Sequence, residues 1–455
     1  MLKMSASKHT KSNVEFAIVN EHAAAIDVGS RSHAVSIGAH PSQSKEYGVF
    51  TDELRQICEW LVASGVKTVA MESTGFYWKQ LFLMLQSYGL EVYLVNASFA
   101  KNIRSRKPSD MADSRWIWQL HTAGLLPNSF QPDFFTDTLR SYVRHRRRLI
   151  QDAARCINRM QKCLVLMNLQ LPIVLTDIMG KSGQAIIGAI LSGERRGDVL
   201  AQLADPRVKA DKQTISRALT GFWKEEQLFE LEQNWDLYHY YQKQIAKCDQ
   251  KIDASLSAQV QKKGKDELTY SPSKKKRRQK NDGPVPVEKY AYQLTGGVDL
   301  LQVDGISYQF IQTFLSEVGT DLSAFPSKDH FVSWLCLAPN KKVSGGKVIS
   351  SKTRKSKHRL KVAFKNTAVA VGKQKNSPLG HYYRSMKAKK GKGTAVTATA
   401  RKIAIIVYNM IKKSEAYDPK RLEPKQRSGH RKRKIKHIQR TIEQLNIKSE
   451  EIRFE

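Results

Sequence analysis

A chain of 455 residues is longer than one hydrophobic core usually supports, so two to four domains are expected. Its 41% hydrophobic residues exclude a wholly disordered polycation, and its formal charge of +34 calls for a polyanionic partner, nucleic acid before a membrane surface. The excess is uneven: residues 1–100 carry 8 Lys/Arg against 9 Asp/Glu, so the cationic surface belongs to the remainder. No apolar run reaches the ~18 residues of a transmembrane helix, and the opening MLKMSASKHTKSN lacks the apolar core of a signal peptide. Cys58, Cys156, Cys163, Cys248 and Cys336 lie far apart without zinc spacing. They read as reduced core or seam residues of a cytoplasmic protein.

In chain order, HAAAIDVG, SHAVSIGAH and KEYGVF predict three short strands in an antiparallel meander. TDELRQICEWLVASG has helical spacing, VKTVAMES is a buried strand, and a helix runs from about Tyr77 to Ser87. LEVYLVN is another strand, and a helix around ADSRWIWQLHTAGLL closes the unit. Three strands followed by alternating helix and strand is the RNase H-like order, although Rossmann-type domains also alternate.

From about residue 137 the period changes. Leu139, Val143, Arg146, Ile150, Ala153, Ile157, Met160, Leu164 and Met167 form a heptad seam with one polar interruption. A second seam runs through Leu231, Asn234, Tyr238, Tyr241, Ile245, Cys248 and Ile252. The two can pair as a hairpin or with another subunit. Residues 262–289 read as a basic, Pro-bearing linker with little to bury. LLQVDGISYQFIQTFLSEVG resembles a helix-hairpin-helix turning at Gly305, able to offer backbone N–H groups to phosphate. Helices are expected near LKVAFKNTAVAVG and over TAVTATARKIAIIVYNMIKK, the latter with an apolar face of Ile403, Ile406, Val407 and Met410. The charged tail is expected to be loosely held.

Asp27 and Glu72 each end an apolar strand, where an acidic side chain can face a cleft at the sheet's rim. Asp110 and Asp113, three apart, share one face of a helical turn. Singly, each has a plainer role as cap, turn residue or helix-dipole charge. As a set, four carboxylates suit Mg²⁺, and two ions ~4 Å apart can clamp a scissile phosphate. Ser344 precedes two glycines in a run rich in Lys and Arg. Lys341, Lys342, Lys347, Lys352, Arg354, Lys355, Lys357, Arg359 and Lys361 are candidate nucleic-acid backbone contacts. Ser350, Ser351 and Ser356 rival Ser344 within the loop, and His358 is a poor candidate base. Phe76–Tyr77–Trp78 can stack on an unpaired base or pack its helix.

AIDVGS, AMESTGFYW and SDMADSRW, in that order, resemble the DEDD-type transposases of the insertion-sequence-110 family, whose N-terminal domains are similar to RuvC resolvases. The resemblance continues through SGQAIIGAILSGERRGDVLAQL, VDGIS, FVSWLCLAPNKKVSGG and HRLKVAFKNTAVAV, about residues 22 to 413. It implies an α/β plus α architecture: a RuvC-like catalytic domain (1–135), a coiled-coil helical middle (136–261), the linker (262–289), a mostly helical C-terminal transposase domain (290–415) and a basic tail (416–455). Asp27, Glu72, Asp110 and Asp113 then match the family's metal-binding tetrad, and Ser344 its serine nucleophile. Also implied are donor and target DNA, a noncoding bridge RNA that pairs with both, and a phosphoserine intermediate. VDGIS departs from the P-G-I-G of many relatives. Strand exchange requires at least two active sites, so a homodimer or homotetramer is expected. Competing readings are a RuvC-type nuclease that uses water, and a non-catalytic RNA-binding scaffold.

Overall fold

The computed structural model describes residues 17–73, 75–96, 109–272, 276–422 and 427–445. The chain forms two compact units that divide after Gln131. No described helix is long and apolar enough to cross a membrane.

The first unit is built on a five-stranded sheet: β1 (Ala23–Val28), β2 (Ser32–Ser36), β3 (Ser44–Gly48), β4 (Thr68–Glu72) and β5 (Glu91–Val95). Its order is β3-β2-β1-β4-β5, with β2 antiparallel to β1 and β3, and β4 parallel to β1 and β5. This mixed arrangement is the RNase H-like one. Alternation sets the two faces. Ala24, Ile26 and Val28 of β1, with Val69 and Met71 of β4, bury against Ile57 and Leu61 of α1 (Thr51–Ala63) and Leu81 and Leu85 of α2 (Trp78–Ser87). Ala25 and Ala70 take the opposite face, beneath Ile117 and Leu120 of α3 (Asp110–Thr122). Alanine is used where that helix lies closest.

The second unit is mostly helical. Two long helices, α4 (Phe134–Leu166) and α9 (Glu225–Lys262), pack antiparallel to each other. Arg146 meets Asp249 towards one end of the pair, and Cys163 approaches Glu230 towards the other. The heptad residues of α9 are buried as expected, Tyr241 only partly. On α4, Leu139, Arg146, Ala153, Met160 and Leu164 of the expected seam are buried, as is Met167 just after it, but Leu149, Cys156 and Cys163 join them, while Val143, Ile150 and Ile157 are only partly buried. Both sets step by threes and fours, and only the neighbouring helix selects between them. Between the long helices, α5 (Leu171–Val174), α6 (Lys181–Leu191), α7 (Gly197–Gln202) and α8 (Lys212–Ala218) close a core around Ile186, Ile187, Ile190, Leu200 and Leu219.

The polar interruption of the seam is a buried ion pair. Arg146 Nε donates to Asp249 Oδ1 at 2.6 Å and Nη2 to Oδ2 at 3.3 Å, with both residues about 95% buried. Its Nη1 donates to the Asn281 carbonyl at 2.9 Å, inside the segment expected to be a linker with little to bury. That segment is held down: Arg278 pairs with Glu288 at 2.8 Å, Lys280 with Asp177 at 2.8 Å, and Val285 is 2% exposed. Long cationic side chains supply the anchorage that an apolar pattern would have signalled.

The remaining elements are α10 (Val287–Leu294), α11 (Tyr308–Glu317), α12 (Lys328–Trp334), a hairpin of β6 (Lys342–Ser344) and β7 (Lys347–Ser350), α13 (Arg359–Gly372), α14 (Pro378–Lys413) and α15 (Arg427–Gln444). Phe310, Phe331 and Phe364 pack edge to face at the centre. The helical α15 occupies part of the tail expected to be loose.

Removing one partner of the buried pair leaves an uncompensated charge. Asp249→Ala is expected to lower unfolding free energy by roughly 3–5 kcal/mol in urea denaturation. The double change Arg146→Met/Asp249→Leu should recover most of that loss.

Candidate active site

Period-two alternation places Asp27 on the face of Ala25, and Glu72 on the face of Ala70, both on the side covered by α3. The pairings Ala25–Ala70 and Ile26–Met71, carried one residue further, set Asp27 level with Glu72 on adjacent parallel strands. Glu72 is 6% exposed and Asp27 is half-buried.

Three hydrogen bonds fix α3 on this face. Ser114 Oγ and Ser36 Oγ lie 2.7 Å apart, Trp118 Nε1 donates to the Ala23 carbonyl at 2.8 Å, and His121 Nε2 lies 3.0 Å from Thr68 Oγ1. Ser36 is opposite Ala25, and Thr68 opposite Ala23, so the helix runs against β1 with its first turn at the strands' C-terminal end. Asp110 lies four residues before Ser114, a rise of about 6 Å, or about two strand residues. The first turn therefore reaches the level of Asp27. Ser109 caps it, its Oγ accepting from the Ala112 amide at 3.2 Å. Asp110 is exposed and Asp113 half-buried. The structure thus brings four carboxylates to one end of one sheet. It does not draw them into a chelating set: no three His, Cys, Asp or Glu side chains among the described residues are grouped to hold a metal. All-oxygen donors with a buried Glu72 suit a hard cation.

Ser344 ends β6. Gly345 (φ +53°) and Gly346 (φ +74°) form the two-residue turn, both in the left-handed region that primed hairpin turns demand. Ser344 pairs with Lys347 and is exposed. The cationic run expected as a plain loop is therefore partly a hairpin, whose Val343, Val348 and Ile349 are 57–69% exposed. Lys341, Lys342, Lys347, Lys352, Lys355 and Lys357 are exposed along it, and Arg354 Nη2 donates to Ser333 Oγ at 3.1 Å.

Two members of the run are structural. Lys361 is 4% exposed and its Nζ donates to the Arg354 carbonyl at 2.8 Å, so it fastens the loop from beneath instead of meeting solvent. His358 caps α13, its Nδ1 accepting from the Lys361 amide at 3.4 Å, with its ring edge-on to Trp334. Burial holds its pKa down at about 4, with Arg140 and Arg144 adding to the effect, so it is neutral at pH 7. Of the aromatic trio, Trp78 packs edge to face on Phe82, while Phe76 is 76% exposed.

A second basic group, not among the residues expected from sequence, is Arg140, Arg144, Arg147 and Arg148 on α4. The run VRHRRR is its signal, overlaid by the heptad pattern of the same helix. Arg144 holds the buried Glu317 through Nε at 3.0 Å and Nη2 at 2.7 Å, and Arg140 Nη2 donates to the Glu317 carbonyl at 2.6 Å. All five cysteines are free thiols, four of them buried.

An RNase H-like sheet carrying these carboxylates, in a chain whose remainder is helical and cationic, defines a DNA-acting class. A family model for the DEDD domain of the IS110 group, described as a transposase, matches residues 24–168. Another, described as Transposase IS116/IS110/IS902 family, matches residues 299–384. The two span just over half of the chain, which belongs to the IS110 family of transposases, enzymes of DNA recombination. No curated protein gave a significant match.

Burial holds the His121 pKa at about 4, against an ordinary 6.5. A depressed folded-state value means that the unfolded chain binds the proton first, so stability is lost as pH falls from about 6.5 towards 4. The loss for His121 is at most about 3 kcal/mol. Urea denaturation at pH 7.5, 5.5 and 4.5 should show a shallower decline in His121→Gln than in the parent chain.

Proposed function

We propose that this transposase is an RNA-guided, site-specific DNA recombinase that excises and inserts its element through a phosphoserine intermediate. The observation that carries the reading is the placement of Asp27 and Glu72 side by side beneath the helix whose first turn holds Asp110 and Asp113. We assign these four residues as ligands of Mg²⁺, two ions per site. Bound there, Mg²⁺ supplies charge neutralisation at the scissile phosphate and favours an ionised attacking oxygen.

Ser344 supplies that oxygen. Its seat beside a two-glycine turn leaves Oγ open to a phosphodiester, and the flanking lysines offer positive charge to the crowded phosphate of the transition state. Attack forms the Oγ–P bond, breaks one P–O bond to a deoxyribose, and leaves that sugar with a hydroxyl. Attack on the phosphoserine by a hydroxyl of another strand restores Ser344 and joins the new ends. The bond is conserved throughout, so resealing needs no external energy source.

Lys341, Lys342, Lys347, Lys352, Arg354, Lys355, Lys357 and Arg359 bind phosphate without reading sequence. Specificity is left to pairing between a bridge RNA and both DNAs, a division of labour known from other RNA-guided systems. The exposed Phe76 beside Glu72 is suited to stack on an unpaired base. The protein acts as a homodimer or homotetramer, because each exchange needs more than one active site.

Incubation with its RNA, element-end DNA and Mg²⁺ should yield a denaturant-resistant protein–DNA adduct. Both Ser344→Ala and Asp27→Ala should abolish it. Cleavage that persists in Ser344→Ala would instead identify water as the nucleophile, and RNA binding without metal-dependent cleavage would reduce the protein to a scaffold.

A further inference from the structure

A cavity of about 230 Å³ opens where α4, α11 and α13 meet, lined by Arg147, Ser307, Gln309, Thr313, Arg359 and Asn366 among others. We propose that it is a phosphodiester-binding site, in which Arg147 and Arg359 clamp one phosphate of a polynucleotide backbone. It deepens the proposed function by pairing Arg359, already counted there among the phosphate-binding cations, with Arg147 of α4, and rests on that reading in taking the ligand to be nucleic acid.

Positive charge gathers around the cavity. Arg140, Arg144, Arg147, Arg148 and Arg359 are gathered by two helices; of the carboxylates near them, Asp137 acts on Arg140, and Glu317 is 4% exposed and already engaged by Arg144 and Arg140. Among the described residues, none of Arg147, Arg148 and Arg359 forms an ion pair. Arg359 is half-buried, and its affinity for its own proton is lowered by burial and by Arg144, Arg147 and Arg148 beside it. Arg147 and Arg148 are exposed beside the half-buried Arg359, and like charges held side by side at a cavity mouth are relieved by an anion that bridges them.

The cavity wall offers hydrogen-bond donors as well. It lies at the N-terminal turn of α11, where Ser307 Oγ accepts from the Phe310 amide at 3.2 Å and the first amides have no helical acceptor. The wall is held close by Gly305, where a Cβ would come within 2.4 Å of Val371 Cγ2 and 2.8 Å of the Thr367 carbonyl on α13. The Gly305 turn thus docks on α13, and the cavity is what remains open between that turn and Arg147. Guanidinium forks match phosphate oxygens in pairs, and the neighbouring hydroxyl and amide groups suit the remaining oxygens. Phe310, Val362, Ala363 and Ala370 complete the lining with apolar surface, which the sugar of a polynucleotide can cover while its phosphate meets the two arginines.

The test uses the full chain with non-specific duplex DNA and, separately, single-stranded RNA, measured over a range of salt concentrations. Arg147→Gln and Arg359→Gln should each flatten the slope of log affinity against log salt, by about 0.9 for a duplex contact or about 0.7 for a single-strand contact. Arg147→Lys should keep most of the slope. The ligand-free melting temperature should stay level or rise in Arg147→Gln, because a like charge is removed. A flattening with DNA alone or RNA alone names the polymer that is clamped. Unchanged slopes with both polymers would overturn the proposal, and so would a fall in ligand-free melting temperature that tracks the affinity loss. Adduct formation at Ser344 is scored separately: an adduct with unmoved slopes sinks the clamp only, and flattened slopes without an adduct sink the recombinase only.

Discussion

The seating of α3 on the sheet is the constraint on which the acidic site depends. Ala25 and Ala70 keep the surface low enough for Ile117 and Leu120 to come down on it, and the Ser36–Ser114, Ala23–Trp118 and Thr68–His121 contacts fix where along the strands the helix lies. Slide the helix by one turn, about 5.4 Å, and Asp110 and Asp113 leave the level of Asp27. A polar contact of 2.7 Å between two small side chains decides which residues can share a ligand. Glu72, 6% exposed, ends the strand on that same face.

The second unit solves a different problem, that of keeping a strongly cationic chain folded. Its long-helix pair carries cations on the seam as well as outside it. Arg146 is tolerated inside because Asp249 meets it in a fork and Asn281 takes a third donor, which ties the 276–289 segment to the hairpin. Such a pair contributes specificity more than net stability. It fixes how far along α9 the helix α4 lies, by setting Arg146 against Asp249. Arg140 and Arg144 are handled similarly by Glu317, but the fold stops short of neutralising Arg147 and Arg359. Charge left over after internal pairing is what a polyanion meets.

The hairpin that carries Ser344 is unlike either. Among the described residues Val343, Val348 and Ile349 remain more than half exposed, and the turn is set by two glycines, which adopt its left-handed backbone without strain. Beneath it, Lys361 and His358 hold the base of the loop by hydrogen bonds to backbone. A rigid root with an open tip suits a nucleophile that must reach a bulky substrate.

Strand and helix order in the first unit was legible because alternation and 3.6-residue spacing are local properties, and the positions of Asp27, Glu72 and the Asp110–Asp113 turn follow from where those patterns end. The GG turn after Ser344 was equally local, yet its hairpin was hidden by a lysine-rich composition that reads as loop. Lys361 could not be told from its neighbours, because burial of a lysine depends on a carbonyl seven residues earlier folding back over it. The same holds for the segment near residue 280, anchored by charges from distant helices, and for the α4 seam, where two faces are equally apolar. Periodicity and charge therefore determined which elements form and which unit is cationic. Only tertiary structure decided which face of α4 turns inward, which cations are spent internally and which remain open to phosphate, because those choices depend on side chains brought together from far apart in the chain.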